Sequence, residues 1–85
     1  MANYRLLYKP SAAKEIESIP KAHLARIAER ILALASDPRP HGSTKLSGKE
    51  NYRIRQCDYR VVYVIDDTER VIRIIKVGHR RDVYR

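Results

Sequence analysis

Residues 52–78 read YRIRQCDYRVVYVIDDTERVIRIIKVG, and this stretch decides the fold. YRIRQ alternates, with Tyr52, Ile54 and Gln56 on one side and Arg53 and Arg55 on the other. A period of two is the signature of a strand with one buried face. YRVVYVID is almost continuously apolar, as a central strand with both faces covered would be. DDTE is a turn. RVIRIIKVG then supplies a third strand, with Val71, Arg73, Ile75 and Val77 against Ile72, Ile74 and Lys76. Three strands joined by short turns predict an antiparallel meander.

Working toward the N-terminus, residues 37–51 (DPRPHGSTKLSGKEN) read as a loop rich in Pro, Gly and Ser, pinned by Leu46. Before it, PKAHLARIAERILALASDP carries Leu24, Ile27, Ile31 and Leu34 at helical spacing. Ala28 and Leu32 widen the stripe. Pro20 suits the start of this helix and Asp37-Pro38 its stop. His23, near its first turn, reads as a surface residue. SAAKEIES predicts a shorter helix capped by Ser11. NYRLLYK, with Tyr4, Leu6 and Tyr8 on one side, predicts a first strand. The order is β-α-α-β-β-β. The expected class is α+β: one domain over residues 1–85, with an antiparallel twisted sheet and a helical hairpin packed on one face. The other face should carry the basic residues.

The chain has 85 residues, 44% of them apolar, and neither Phe nor Trp. Its one modest core must therefore use aliphatic residues and tyrosine. Lys and Arg number 18 and Asp and Glu 10, a net charge of +8. Such a field attracts polyanions: nucleic acid, an anionic membrane face or an acidic protein. The single cysteine, Cys57, permits no internal disulfide and suits a reducing cytosol. His23, His41 and His79 lack metal-site spacing, and no metal or other cofactor is implied. The opening MANYRLLYKP holds no long apolar run, so the expected location is the cytoplasm rather than a membrane.

The cations are not scattered. Arg53 and Arg55 leave one side of one strand. In a meander, the start of the middle strand lies beside the ends of both neighbours, so Arg55, Arg60 and Arg80 should converge at one end of the sheet. Tyr84 is within reach along the tail KVGHRRDVYR (76–85). Guanidinium forks match phosphate oxygens, and a tyrosine ring can stack on a base. An RNA phosphate held there could be attacked by the neighbouring 2′-hydroxyl, with the arginines stabilising the developing charge. Arginine is a poor base. Proton transfer would fall to Glu50, His79, Tyr84, Lys45 or Lys49, and the residues alone do not choose between them. The competing reading makes the arginines surface ion pairs with Glu50, Asp58, Asp66, Asp67, Glu69 and Asp82.

KLSGKENYRIRQCDYRVVYVI (45–65), followed by IIKVGHRRDVYR (74–85), resembles the RelE/ParE toxin superfamily, and more narrowly its RelE-type messenger RNA interferases. The resemblance implies the toxin of a type II toxin–antitoxin module, a ribosome-dependent endoribonuclease. Such a toxin cuts messenger RNA in the A site by 2′-hydroxyl attack on the adjacent phosphate. Its implied partners are the 70S ribosome with its 16S RNA and a RelB-like antitoxin, through which the complex would bind operator DNA. Carried over by motif, Arg53 and Arg55 stand where the family has basic strand residues. Arg60 stands where it binds phosphate, and Arg80 where it stabilises the transition state or assists the leaving group. Tyr84 stands where it stacks on or orients the nucleotide. Arginine replaces lysine at positions 53 and 55, which leaves Glu50 and His79 as the family's alternative proton-transfer residues. Lys45, Lys49, Arg81 and Arg85 are expected to contact RNA or the ribosome. Two other readings share the fold: a ParE-like inhibitor of DNA gyrase, and an antitoxin-binding module without nuclease activity.

Overall fold

The computed structural model describes residues 3–46 and 51–80. In chain order they form β1 (Arg5–Tyr8), α1 (Pro10–Glu17), α2 (Lys21–Leu34), β2 (Thr44–Lys45), β3 (Asn51–Gln56), β4 (Tyr59–Asp66) and β5 (Val71–His79). The strands make one sheet in the order β1-β5-β4-β3-β2. The meander β3-β4-β5 is antiparallel as expected. β1 joins its far side in parallel with β5, Leu6 opposite Ile72, so the sheet is mixed. The two helices supply the crossover that a parallel pairing requires. β2 is an addition to the expected order. Its two residues pair antiparallel with β3, Thr44 opposite Arg53 and Lys45 opposite Tyr52. Two residues are too short to show a period, which is why the segment reads as loop.

α1 starts two residues earlier than the Ser11 cap suggests. Pro10 occupies the first turn, where its fixed φ fits and its missing N–H costs nothing, and Lys9 precedes it without a side-chain cap. Pro20 sits at the N-cap of α2. The apolar stripe of α2 buries Ile27, Ile31 and Leu34. Ala28 is exposed, and Leu32 is 63% exposed, so the stripe is narrower than its sequence suggests. These helix residues meet Tyr52, Ile54, Val61, Tyr63, Ile65, Ile72, Ile74 and Val77 of the sheet, with Ala12 and Ile19, in one core.

Val77 belongs to that core face through an irregularity. Simple alternation would put it with Arg73 on the opposite face. Between Val62 and Tyr63 of β4 the register with β5 shifts, Val62 lying opposite Lys76 and Tyr63 opposite Ile74. One residue of β5 is skipped, which reverses the phase of everything after it. Val77 and His79 therefore face the helices, and Gly78 faces away. The Val77 N–H, displaced from the regular ladder, donates to Glu15 Oε1 of α1 at 2.9 Å.

The loop after α2 is fastened by polar contacts as well as by apolar ones. Arg39 pairs with Asp67 at 2.9 Å, donates to the Tyr52 hydroxyl at 3.0 Å and lies over that ring at 5.2 Å. The Tyr4 hydroxyl donates to the same carboxylate at 2.5 Å, and the buried Tyr63 hydroxyl donates to the Pro38 carbonyl at 2.8 Å. Leu46, the expected pin, is half-buried outside the core, and its N–H donates to the Asn51 carbonyl at 2.8 Å. No helix among the described residues is long and apolar enough to cross a membrane.

Candidate RNA-binding site

The end of the sheet formed by the close of β3, the start of β4 and the close of β5 gathers the arginines. Arg55 stands directly opposite Arg60, and Arg60 directly opposite Gly78. Cross-strand neighbours of this kind place Cβ atoms about 5 Å apart. The alternation that buries Ile54 and Val61 turns Arg53, Arg55 and Arg60 to the face away from the helices. Arg80 follows β5 and is tied to the same corner, its backbone N–H donating to the Asp58 carbonyl at 2.7 Å. The turn that joins β3 to β4 is only Cys57-Asp58, and Cys57 takes a positive φ of 58° to close it. Cys57 is free and exposed there.

Side by side, like charges repel. Nothing among the described residues neutralises these three: neither Arg55, Arg60 nor Arg80 is in an ion pair with a described carboxylate. Two acids that could have done so are elsewhere. Asp66 caps the β4–β5 turn through the Glu69 N–H, and Asp67 is held by Arg39 and Tyr4. Arg60 and Asp66 are six residues apart on one strand, about 20 Å. That is more than two screening lengths at physiological salt. The Nε of Arg60 is buried and has no hydrogen-bond partner among the described residues. A guanidinium with an unpaired donor, beside a second guanidinium, is a site shaped for an anion with several acceptor oxygens.

The remaining expected residues divide. Arg53 shares the face of Arg55, and its Nη2 lies 3.4 Å from the Thr44 hydroxyl. Lys45 stands opposite Tyr52, on the helix side of the edge strand. His79 reaches the same sheet end but the other face: it stands opposite Tyr59, ring centroids 5.7 Å apart and edge-on. Tyr59 also touches the ring of His23 at 5.4 Å, so His23 is half-buried rather than a surface residue. Glu50, Lys49, Arg81, Tyr84 and Arg85 lie outside the described residues.

Glu15 was not among the expected residues. It holds the displaced Val77 N–H and faces Lys76 Nζ at 3.8 Å, bracing the strand that ends in Gly78, His79 and Arg80. A signal existed: Glu15 falls on the same helical stripe as Ala12, Ile16 and Ile19, a carboxylate on an otherwise apolar face.

Comparison with known proteins bears on the family and the fold. Residues 6–84 match the family model described as the ParE toxin of the type II toxin–antitoxin system parDE. The toxin RelE of Mycobacterium tuberculosis is 30% identical over 84 residues, covering 96% of this chain and 87% of that protein. The RelE chain of an archaeal RelE–RelB complex from Pyrococcus horikoshii superposes with a TM-score of 0.83 at 34% identity, covering 98% of this chain and 100% of that one. A chain of the intact Escherichia coli RelBE toxin–antitoxin complex gives 0.80 at 26% identity, covering 89% and 95%. The fold, the sheet end and the matched length lead to one conclusion: the chain belongs to the RelE/ParE superfamily of type II toxin–antitoxin toxins.

Proposed function

We propose that this toxin is a ribosome-dependent endoribonuclease that cleaves messenger RNA in the A site. The observation that carries this is the apposition of Arg55 and Arg60, with Arg80 at the same corner and no described carboxylate paired to any of them. In this reading Arg60 and Arg80 hold the scissile phosphate and stabilise the charge that builds on it as the 2′-hydroxyl attacks. Arg53 and Arg55 extend the cationic face along the messenger, and Tyr84 stacks on a base. Since His79 stands on the other face, the proton acceptor in this scheme is Glu50 or the RNA's own surroundings in the ribosome. Lys45, Lys49, Arg81 and Arg85 contact ribosomal RNA. A RelB-like antitoxin holds the toxin inactive in the cytoplasm and carries the complex to operator DNA; the RelE–RelB complexes from the archaeal and bacterial relatives support such a partner.

The description of the matched family model favours a second reading, inhibition of DNA gyrase. Primer extension on a defined messenger, with and without programmed ribosomes, decides between them. Cuts at the A-site codon only with ribosomes support the nuclease reading. No cuts under either condition, together with loss of supercoiling by purified gyrase, would replace it with the second.

A further inference from the structure

On the helix side of the same sheet end lies a cleft of about 300 Å³ that the scheme above does not use. Its floor is Ile19 and Val77, both buried. Tyr59 and His79 form an aromatic wall, their rings in edge contact. Across from them stand Glu15 and Lys76, with Ser18 at the rim. The last lining residue, Gly78, also stands opposite Arg60 on the far face. The cleft and the arginine site are thus separated by the end of one strand, at a residue without a side chain.

We infer that this cleft is a subsite for one nucleobase of the RNA engaged at the arginine site, a purine in preference to a pyrimidine. The inference rests on the RNA-cleaving reading. Three features support it. The cleft stands at the small end of the range for ligand sites, suiting one base rather than an extended ligand. Tyr59 and His79 offer aromatic surface for one face of a base, and the larger ring system gains more from it. At the edge of such a base, carboxylate and ammonium stand side by side. Glu15 already accepts from the Val77 N–H with Oε1 and faces Lys76 with Oε2, yet a carboxylate retains further lone pairs for a base N–H. Lys76 Nζ is a donor for a ring nitrogen or carbonyl on the same edge. A phosphate attached to that nucleotide would have only to pass Gly78 to reach Arg60 and Arg80. The base could belong to the messenger or to ribosomal RNA.

The test is an NMR titration of the full chain with AMP, GMP, CMP and UMP, and with inorganic phosphate as control. Purine monophosphates are expected to shift the Tyr59, Val77 and His79 resonances, while phosphate alone shifts those of Arg60 and Arg80. Ser18→Trp, an exposed rim position, fills the cleft and should abolish the first set and spare the second. Glu15→Gln keeps an acceptor for Val77 but alters the edge pattern, and should change the ranking of the bases by about tenfold, the scale of one hydrogen bond to a charged group. In ribosome-programmed cleavage, an altered codon preference for either variant assigns the base to the messenger. A uniform loss of cutting with preference unchanged assigns it to ribosomal RNA. The inference is overturned if no monophosphate shifts the cleft resonances and Ser18→Trp cuts at the wild-type rate and pattern. It is overturned equally if only an antitoxin peptide shifts them. A wild-type chain that cuts nothing refutes the nuclease reading instead, and the titration still decides the cleft.

Discussion

Replacing Arg60 with methionine should make the protein more stable and less active at once. In the folded chain Arg60 faces Arg55 across the β3–β4 ladder. Two charges 5–7 Å apart cost about 0.6–0.8 kcal/mol even at the dielectric of water. Its buried Nε, without a partner among the described residues, adds a desolvation cost of about 1–3 kcal/mol. Methionine keeps the length and apolar stem of the side chain, so packing beside buried Val62 is largely preserved. The expected gain is about 1–2 kcal/mol. For a domain of this size, each kcal/mol raises the melting temperature by about 4–8 °C. Urea titration measures it directly, through a higher midpoint at unchanged slope.

The same substitution should remove anion-linked stabilisation. At ten times its Kd an anion adds about 1.4 kcal/mol to the wild type by mass action. Added sulfate should therefore narrow the gap between variant and wild type, and ribosome-dependent cleavage by the variant should fall at least 100-fold. An Arg60→Met protein that is less stable than the wild type, and that sulfate stabilises as strongly, would refute the account of Arg60 as a strained anion ligand.

Other substitutions probe the remaining parts. Arg80→Ala should abolish growth arrest in cells while antitoxin affinity in a pull-down or calorimetric titration changes little; undiminished toxicity would remove Arg80 from the site. Cys57→Gly relieves a left-handed backbone position and should stabilise the fold by about 1 kcal/mol in urea, without altering the arginines it connects. Asp67 answers to pH. The Arg39 hydrogen bond, then that of Tyr4, holds its carboxyl below the usual carboxylate range. A depressed folded pKa gives stability that is present above the unfolded value, about 3.9, and lost as pH falls through the folded one. The wild-type unfolding midpoint should therefore decline below about pH 4, and Asp67→Asn should lower it at neutral pH and flatten that decline. Tyr63, pushed up to about 12 chiefly by burial, gives the alkaline counterpart. Its contribution is complete below pH ~10 and disappears as pH rises toward its folded value. Tyr63→Phe should flatten the alkaline limb.

The strands of the meander were legible because each carries its burial pattern within its own residues. Tyr52 and Ile54 alternate with Arg53 and Arg55, and the run from Val61 to Ile65 has no polar interruption. Convergence of Arg55, Arg60 and Arg80 then followed from connectivity alone. The β5 bulge was not legible: RIIKVG contains no glycine or proline where the register slips, and the Val77 N–H beyond it is satisfied by Glu15, sixty-two positions away. The face of His79 depends on that slip, so its separation from the arginines was out of reach too. The short β2 and the parallel partner of β1 are likewise products of tertiary pairing, which local propensity does not encode.

The two ends of the sheet resolve their charges in opposite ways, and this bears on how the toxin is restrained. At the β1–β4 end, Asp67 takes Arg39 and Tyr4, and Arg70 lies over the Tyr4 ring at 5.9 Å. Arg39 and Arg70 there both have partners supplied by the chain. At the other end the chain brings Arg55, Arg60 and Arg80 together with no described carboxylate paired to them, while Asp66 stands about 20 Å away along β4. Self-repulsion there lowers the stability of the free fold, so any polyanion that covers that end binds the folded state and stabilises it. In the proposed function, messenger RNA would do this with phosphates. An antitoxin competing for the same end would need carboxylates of its own, on a segment whose apolar side meets exposed Leu7 and Tyr8 or Leu32. Such an acidic segment should raise the toxin's melting temperature most at low salt, and the gain should shrink as sodium chloride screens it. A salt-independent gain would place the inhibitor's hold on apolar surface, away from the arginines.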